Sequence, residues 1–284
     1  MTSAILLTGG FRTLEQIFPS FHENVLSKNK YVLFIACEVE DAKRLFDVLA
    51  AYPDLNIGHI LHTPTFRDTQ YLAIERMIET SDRPGLRPAV YERAQQKDGM
   101  DWPNFGPNFI KSSGSIIQYY QVWRLWAYVL EYEKRTNTKF TYCMRTRCDI
   151  LFNKPIILSD TFTQSNLWYN EYQAANKINN SDSYYHHTTH ELVSSESRND
   201  DYVITFCVDL VWMAKRSVFD KLSQLLFHYG LWDSGLPFSF NSETTFQEFC
   251  VHHNIHHYGI TEANFPLYAH TIEDAKKYIM IILR

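Results

Sequence analysis

The sequence predicts an α/β protein whose first half is a Rossmann-like parallel sheet, and three observations carry that expectation. Short apolar runs alternate with helix-like segments over the first third of the chain. A Gly9-Gly10 pair directly follows the first apolar run. A later strand-like run, Tyr142-Cys-Met-Arg145-Thr-Arg147-Cys-Asp149-Ile-Leu-Phe152, carries charges at alternate positions. Ligands of open α/β sheets bind at the carboxyl ends of strands, where both features fall.

The elements can be justified in order. Ala4–Thr8 is apolar and lacks a basic leader or cleavage site, so it is expected to be a first strand rather than a signal peptide. A helix from about Thr13 to Leu26 places Leu14, Ile17, Phe18 and Phe21 on one side. Tyr31–Cys37 is the next buried strand, and Asp41 opens a helix through Ala51 that Pro53 stops. Ile57–Leu61 supplies a third strand. From Thr65 to Lys111, Pro84, Pro88, Pro103 and Pro107 predict mostly loop, with helical potential at Tyr71–Glu79. Ser112–Ser115 introduces a long amphipathic helix striped by Ile116, Tyr120, Trp123, Ala127 and Leu130. Phe140–Phe152 then reads as one strand.

The second half is less regular. Asn166–Tyr169 is expected to be a short strand, and the polar stretch Gln173 to Asp201 a surface loop. Val203–Ala214 reads as one strong strand, followed by a helix from about Arg216 to Tyr229 and a loop from Gly230 to Phe240. Ser242 is placed to cap a helix from Glu243 to His253. A strand near His257–Ile260 and a terminal helix from about Ile272 complete the expectation.

Composition excludes several function classes. A chain of 284 residues with 45% hydrophobic content can bury a proper core. A net charge of −5, with no basic run, argues against nucleic-acid binding. No stretch approaches the roughly 18 apolar residues of a membrane span. Cys37, Cys143, Cys148, Cys207 and Cys250 include no Cys-x-x-Cys, which fits reduced, buried thiols and a cytoplasmic setting. His186, His187 and His190, and His252, His253, His256 and His257, lack the Glu of a zinc hydrolase and read as solvated loop histidines.

The charged strand carries the chemistry. Alternation puts Arg145, Arg147 and Asp149 on one side of an extended segment. Guanidinium forks match phosphate oxygens and stay charged, so a diphosphate is their natural partner. Asp149 can hold a ribose hydroxyl, a sugar hydroxyl or a divalent cation. A structural Arg-Asp network closing a core strand would use the same residue types.

The residues then match a family pattern. Leu6-Leu7-Thr8-Gly9-Gly10-Phe11-Arg12 resembles the opening strand and Gly-x-x-Arg turn of GT-A glycosyltransferases found in polysaccharide gene clusters and large DNA viruses. Phe140–Phe152 is similar to their Arg-x-Arg-x-Asp strand, and Phe206–Arg216 to a strand-to-helix step ending Gly-Ser-Arg. Asn241-Ser242-Glu243 is similar to a Pro-Glu helix start. Ala214 stands where the family has glycine, and Ser242 where it has proline.

The resemblance implies a GT-A fold in a single domain, 1–284, with a nucleotide-sugar-binding half at 1–152 and an acceptor-side half at 153–284. It implies transfer of a sugar from a nucleoside-diphosphate donor, a UDP-sugar in most such families, to a glycan hydroxyl. Thr8, Gly9, Gly10, Arg12, Arg145, Arg147 and Asp149 would bind the donor. Glu243, or else Asp209, would be the catalytic base. Asp149 is the one candidate metal ligand, so Mn2+ or Mg2+ dependence and a metal-independent mechanism both stay open. For a viral chain the setting would be the host cytoplasm. The competing expectation is a non-catalytic nucleotide- or carbohydrate-binding protein on the same fold.

Overall fold

In the computed structural model, the described residues are 1–65, 68–69, 72–73, 76, 107–162, 167–172, 188–193, 200–206, 210–228, 242–259, 268–269 and 280–283. The first strands form where the apolar runs predict them: β1 Ser3–Thr8, β2 Tyr31–Glu38 and β3 Ile57–Thr63. Helices α1, Leu14–Asn24, and α2, Ala42–Leu49, connect them. The long helix α3 runs Pro107–Thr136, and β4, Tyr142–Arg147, follows it. β1, β2, β3 and β4 are mutually parallel, in the order β3-β2-β1-β4. Their carboxyl ends therefore share one edge.

The sheet continues into the second half as a mixed sheet. Its strands are β6 Leu167–Tyr172, β7 Thr188–Val193, β8 Tyr202–Phe206, β9 Val211–Lys215 and β10 His256–Gly259. The full order is β3-β2-β1-β4-β9-β8-β10-β6-β7, with β9 antiparallel to both β4 and β8. This is the expected α/β architecture: a Rossmann-like parallel half carried on into a mixed sheet. Strands β5 Ile150–Phe152, β11 Tyr268–Ala269 and β12 Met280–Leu283 form a separate small sheet.

Alternation along β1 divides the core. Ala4 and Leu6 join Phe34, Trp126 and Trp212 on one face, under α3 and the second-half helices. Ile5 and Leu7 join Phe18, Phe21 and Met213 on the other, with α1 contributing Leu14 and Ile17. Burial on both faces is what central parallel strands require, and it explains why β1 and β2 are almost uninterrupted apolar runs.

Several expectations are corrected. Phe140–Phe152 is two strands, because the chain turns at Cys148-Asp149 and β5 leaves the main sheet to pair with β12. Val203–Ala214 is also two strands, β8 and β9, paired antiparallel through Phe206 and Val211. Part of the expected 173–201 loop is β7, which pairs with β6. The expected terminal helix gives way to strand at Met280–Leu283.

Pro107 begins α3 rather than belonging to a loop, a position where its missing N–H costs nothing. Of the expected stripe, Tyr120 is buried and Trp123 half-buried, whereas Ala127 and Leu130 are exposed. The buried face is centred on Tyr119, Val122, Leu125, Trp126 and Val129, because the large rings of Tyr119 and Trp126 pack on Trp212 and Phe219. The helical potential at 71–79 and the 230–240 loop lie almost wholly outside the described residues.

Candidate functional site

At the carboxyl edge, β1 ends at Thr8 directly opposite Arg147 of β4. The chain then enters the Gly9-Gly10 turn. Gly9 has φ 98°, a conformation glycine adopts without steric cost. A Cβ on Gly9 would lie 3.8 Å from Cγ of Arg147, so turn and arginine are neighbours. Among the described residues, a Cβ on Gly10 would meet nothing within 4 Å. The turn closes by a hydrogen bond from the Arg12 N–H to the Gly10 carbonyl, 2.9 Å.

The two arginines play different parts. Arg145 is fully buried. Its Nε donates to the Thr8 hydroxyl at 2.9 Å, one terminal nitrogen to the Leu210 carbonyl at 3.1 Å, and the other to Gln118 Oε1. Its guanidinium also lies 5.0 Å over the Trp212 ring. Arg145 thereby ties β1, β4, α3 and the start of β9 together. Arg147 is partly exposed and grips Asp149 with both ends of its fork, with Nε to Oδ1 at 2.9 Å. Asp149 sits in the turn after β4 and is 4% exposed.

Arg12 is exposed, and its side chain has no hydrogen-bond or ion-pair partner among the described residues. Its carbonyl accepts from Arg44, whose own charge is matched by Glu15 and Asp41. The Arg44 guanidinium holds the Glu15 carboxyl below its usual pKa. Arg44 is thus neutralised, whereas the Arg12 side chain beside the turn is unmatched among the described residues. Under the turn, Cys148 donates its N–H to the Thr8 carbonyl at 3.2 Å and its thiol to the Thr8 and Gly9 carbonyls. Burial pushes that thiol well above its ordinary pKa, so it stays protonated and acts as a donor.

The candidate bases are placed only by their surroundings. Asp209 lies in 207–209, outside the described residues, but its flanks are informative. The end of β8 at Phe206 and the start of β9 at Val211 lie at the edge that carries Arg147, where the Leu210 carbonyl accepts from Arg145. Glu243 is the second residue of the helix Ser242–His252. That helix reaches the core through Phe246, whose ring lies 5.0 Å from Trp212.

Sequence reasoning missed the glutamines of α3. Gln118 receives Arg145, and Gln121, fully buried, accepts the Gly9 N–H at 2.8 Å. The signal was present: two amides three residues apart interrupt an apolar helix. A divalent cation would need oxygen ligands beyond Asp149, whose two oxygens hold Arg147. Among the described residues no group of three potential metal ligands occurs. Among the described residues, no helix is long and apolar enough to cross a membrane.

No family model matches the chain, and no curated protein matches it. Among solved structures, the chain is similar to mouse xyloside xylosyltransferase 1 in its apo form, at 8% identity and a TM-score of 0.42. The match covers 98% of this chain and 93% of that one.

Proposed function

We propose that the protein is a glycosyltransferase that moves a sugar from a nucleoside-diphosphate donor, a UDP-sugar, to a glycan hydroxyl. The observation that carries the reading is the Arg147–Asp149 pair beside the Gly9-Gly10 turn at the shared carboxyl edge of β1 and β4. A half-exposed turn flanked by Arg147 and the unmatched Arg12 suits an anionic group, and open α/β sheets bind ligands at this edge.

In this reading residues 1–152 serve the donor and 153–284 the acceptor. The acceptor oxygen forms a bond to the anomeric carbon as the bond from that carbon to the distal phosphate oxygen breaks. Negative charge then builds on the departing diphosphate, and Arg12 and Arg147 stabilise it. Arg145 holds Thr8 and the start of β9 so that the edge keeps its shape. Asp149 orients Arg147 and offers its carboxylate to a donor hydroxyl. For an inverting reaction, Glu243 or Asp209 takes the acceptor proton. No step is assigned to Mn2+ or Mg2+, and turnover in chelator measures that directly.

A thermal-shift series with UDP, GDP, CMP and ADP tests the donor assignment. UDP at about 100 times its dissociation constant is expected to add roughly 2.7 kcal/mol. UDP-sugar hydrolysis should follow in the same preparation. Stabilisation by UDP without any hydrolysis or transfer would favour the non-catalytic binder, and stabilisation by GDP alone would overturn the donor.

A further inference from the structure

We infer that Gln121 is a positioning residue for the anion-binding turn, its side-chain oxygen fixing Gly9 so that Gly10 and Arg12 face the ligand. The inference rests on the nucleoside-diphosphate reading of this edge and extends it to a residue from a different element. Gly9 is the first residue beyond β1, so its N–H has left the strand ladder and needs another acceptor. Gln121 supplies it from α3, 112 residues away, at 2.8 Å. That bond assigns the amide, because only the oxygen end accepts an N–H.

The other end of the amide shows what the glutamine is for. Its Nε2 is buried and has no acceptor among the described residues. A buried donor left unpaired is destabilising, a cost that an apolar side chain of similar shape would avoid. The chain carries that cost at a position whose amide oxygen holds the turn.

Gly10 supplies an independent observation. Its φ is not in the left-handed region, and a Cβ there would meet nothing within 4 Å. Neither backbone conformation nor packing among the described residues demands glycine. Its N–H has no acceptor among the described residues. A glycine of this kind serves close approach of the backbone by something else. One turn earlier on the same helix, Gln118 holds Arg145. One face of α3 thus supports both strands of the site.

Wild-type protein and Gln121→Met are compared by titration with UDP and with uridine, alongside amide hydrogen exchange at Gly9. In the wild type the Gly9 amide should be protected. In Gln121→Met the protection should be lost and UDP affinity should fall about tenfold, while uridine affinity stays the same. Thermal stability should change little, since the variant removes one bond and one unpaired donor together. Gly9→Ala reaches the same turn from its other side and should show the same UDP-specific loss; it carries the test if Gln121→Met does not fold. Equal UDP affinity in wild type and variant overturns the inference alone. So does an equal loss for UDP and uridine, or an unprotected Gly9 amide in the wild type. A wild type that binds neither UDP nor GDP overturns the functional reading and this inference with it.

Discussion

Strand β4 has an arginine–carboxylate cluster at each end, and the two are built differently. At its amino end, Glu133 accepts the Phe140 N–H at 3.1 Å and both ends of the Arg216 fork. Arg216 lies 5.4 Å over Trp126, whose indole N–H donates to Asp220 at 2.7 Å. Polar groups there meet polar groups, and the result ties α3 to β4 and to the helix that follows β9, Arg216–Leu222. At the carboxyl end the accounts do not close. Among the described residues the Arg12 side chain has no partner, Gln121 keeps an unpaired amide nitrogen, and nothing lies within 4 Å of where a Cβ on Gly10 would sit. Fold-holding clusters satisfy themselves, whereas a binding edge keeps donors in surplus.

The comparison predicts that chemistry belongs to one end only. Glu243→Gln should lower turnover by about 10² to 10⁴ with UDP affinity nearly unchanged. Asp209→Asn is the paired variant, and the larger loss names the base. Wild-type rates in both would remove the second half of the chain from the catalytic proposal.

Next in size is Glu133→Leu, which strands Arg216 and the Phe140 N–H. It should cost roughly 3 kcal/mol of stability by denaturant unfolding, while the folded fraction binds UDP normally. A parallel loss of UDP affinity would break the distinction between the two ends. Arg147→Lys reverses the pattern: it keeps the charge and loses the fork. UDP affinity should fall about tenfold, a cost of about 1.4 kcal/mol, with the melting temperature nearly fixed. A large melting shift with unchanged affinity would make Arg147 a second fold-holding arginine.

The smallest effect is expected for Gly10→Ala. With room for the methyl group and ordinary backbone, stability should rise by about 0.4–1 kcal/mol. UDP binding should weaken severalfold in calorimetry, because the methyl group occupies the approach to the turn. Unchanged binding would show that no ligand comes near Gly10.

The first half was legible because β1 and β2 are continuous apolar runs bounded by turn residues, and burial on both faces demands such runs. The same rule misled at the hairpin between Tyr202 and Lys215, where apolar residues continue on either side of the reversal. A run that turns back has the same composition as one that goes straight. Met280–Leu283 was misassigned for the related reason that four apolar residues fit helix or strand, and its partner β5 is remote in sequence.

At the site, alternation grouped Arg145, Arg147 and Asp149 on one side of a strand, but Asp149 lies in the turn after β4 and the two arginines have different surroundings. Their difference lies in partners far along the chain: Leu210 and Trp212 enclose Arg145, while Asp149 holds Arg147 from two residues away. The glutamines of α3 were overlooked because a polar residue in an apolar helix acquires meaning only when its partner is known.

The hydrogen bond between Arg145 and Thr8 joins residues 137 positions apart, across the middle of the sheet. Strand β1 cannot complete its pairing until β4, encoded after the whole 65–136 region, inserts beside it. Such long-range closure slows folding, because chain entropy is lost before the contacts that compensate it form. Recovery of nucleotide binding after dilution from denaturant should therefore trail the recovery of helical circular dichroism. The proposed ligand edge is, in kinetic terms, among the last parts of the molecule to exist.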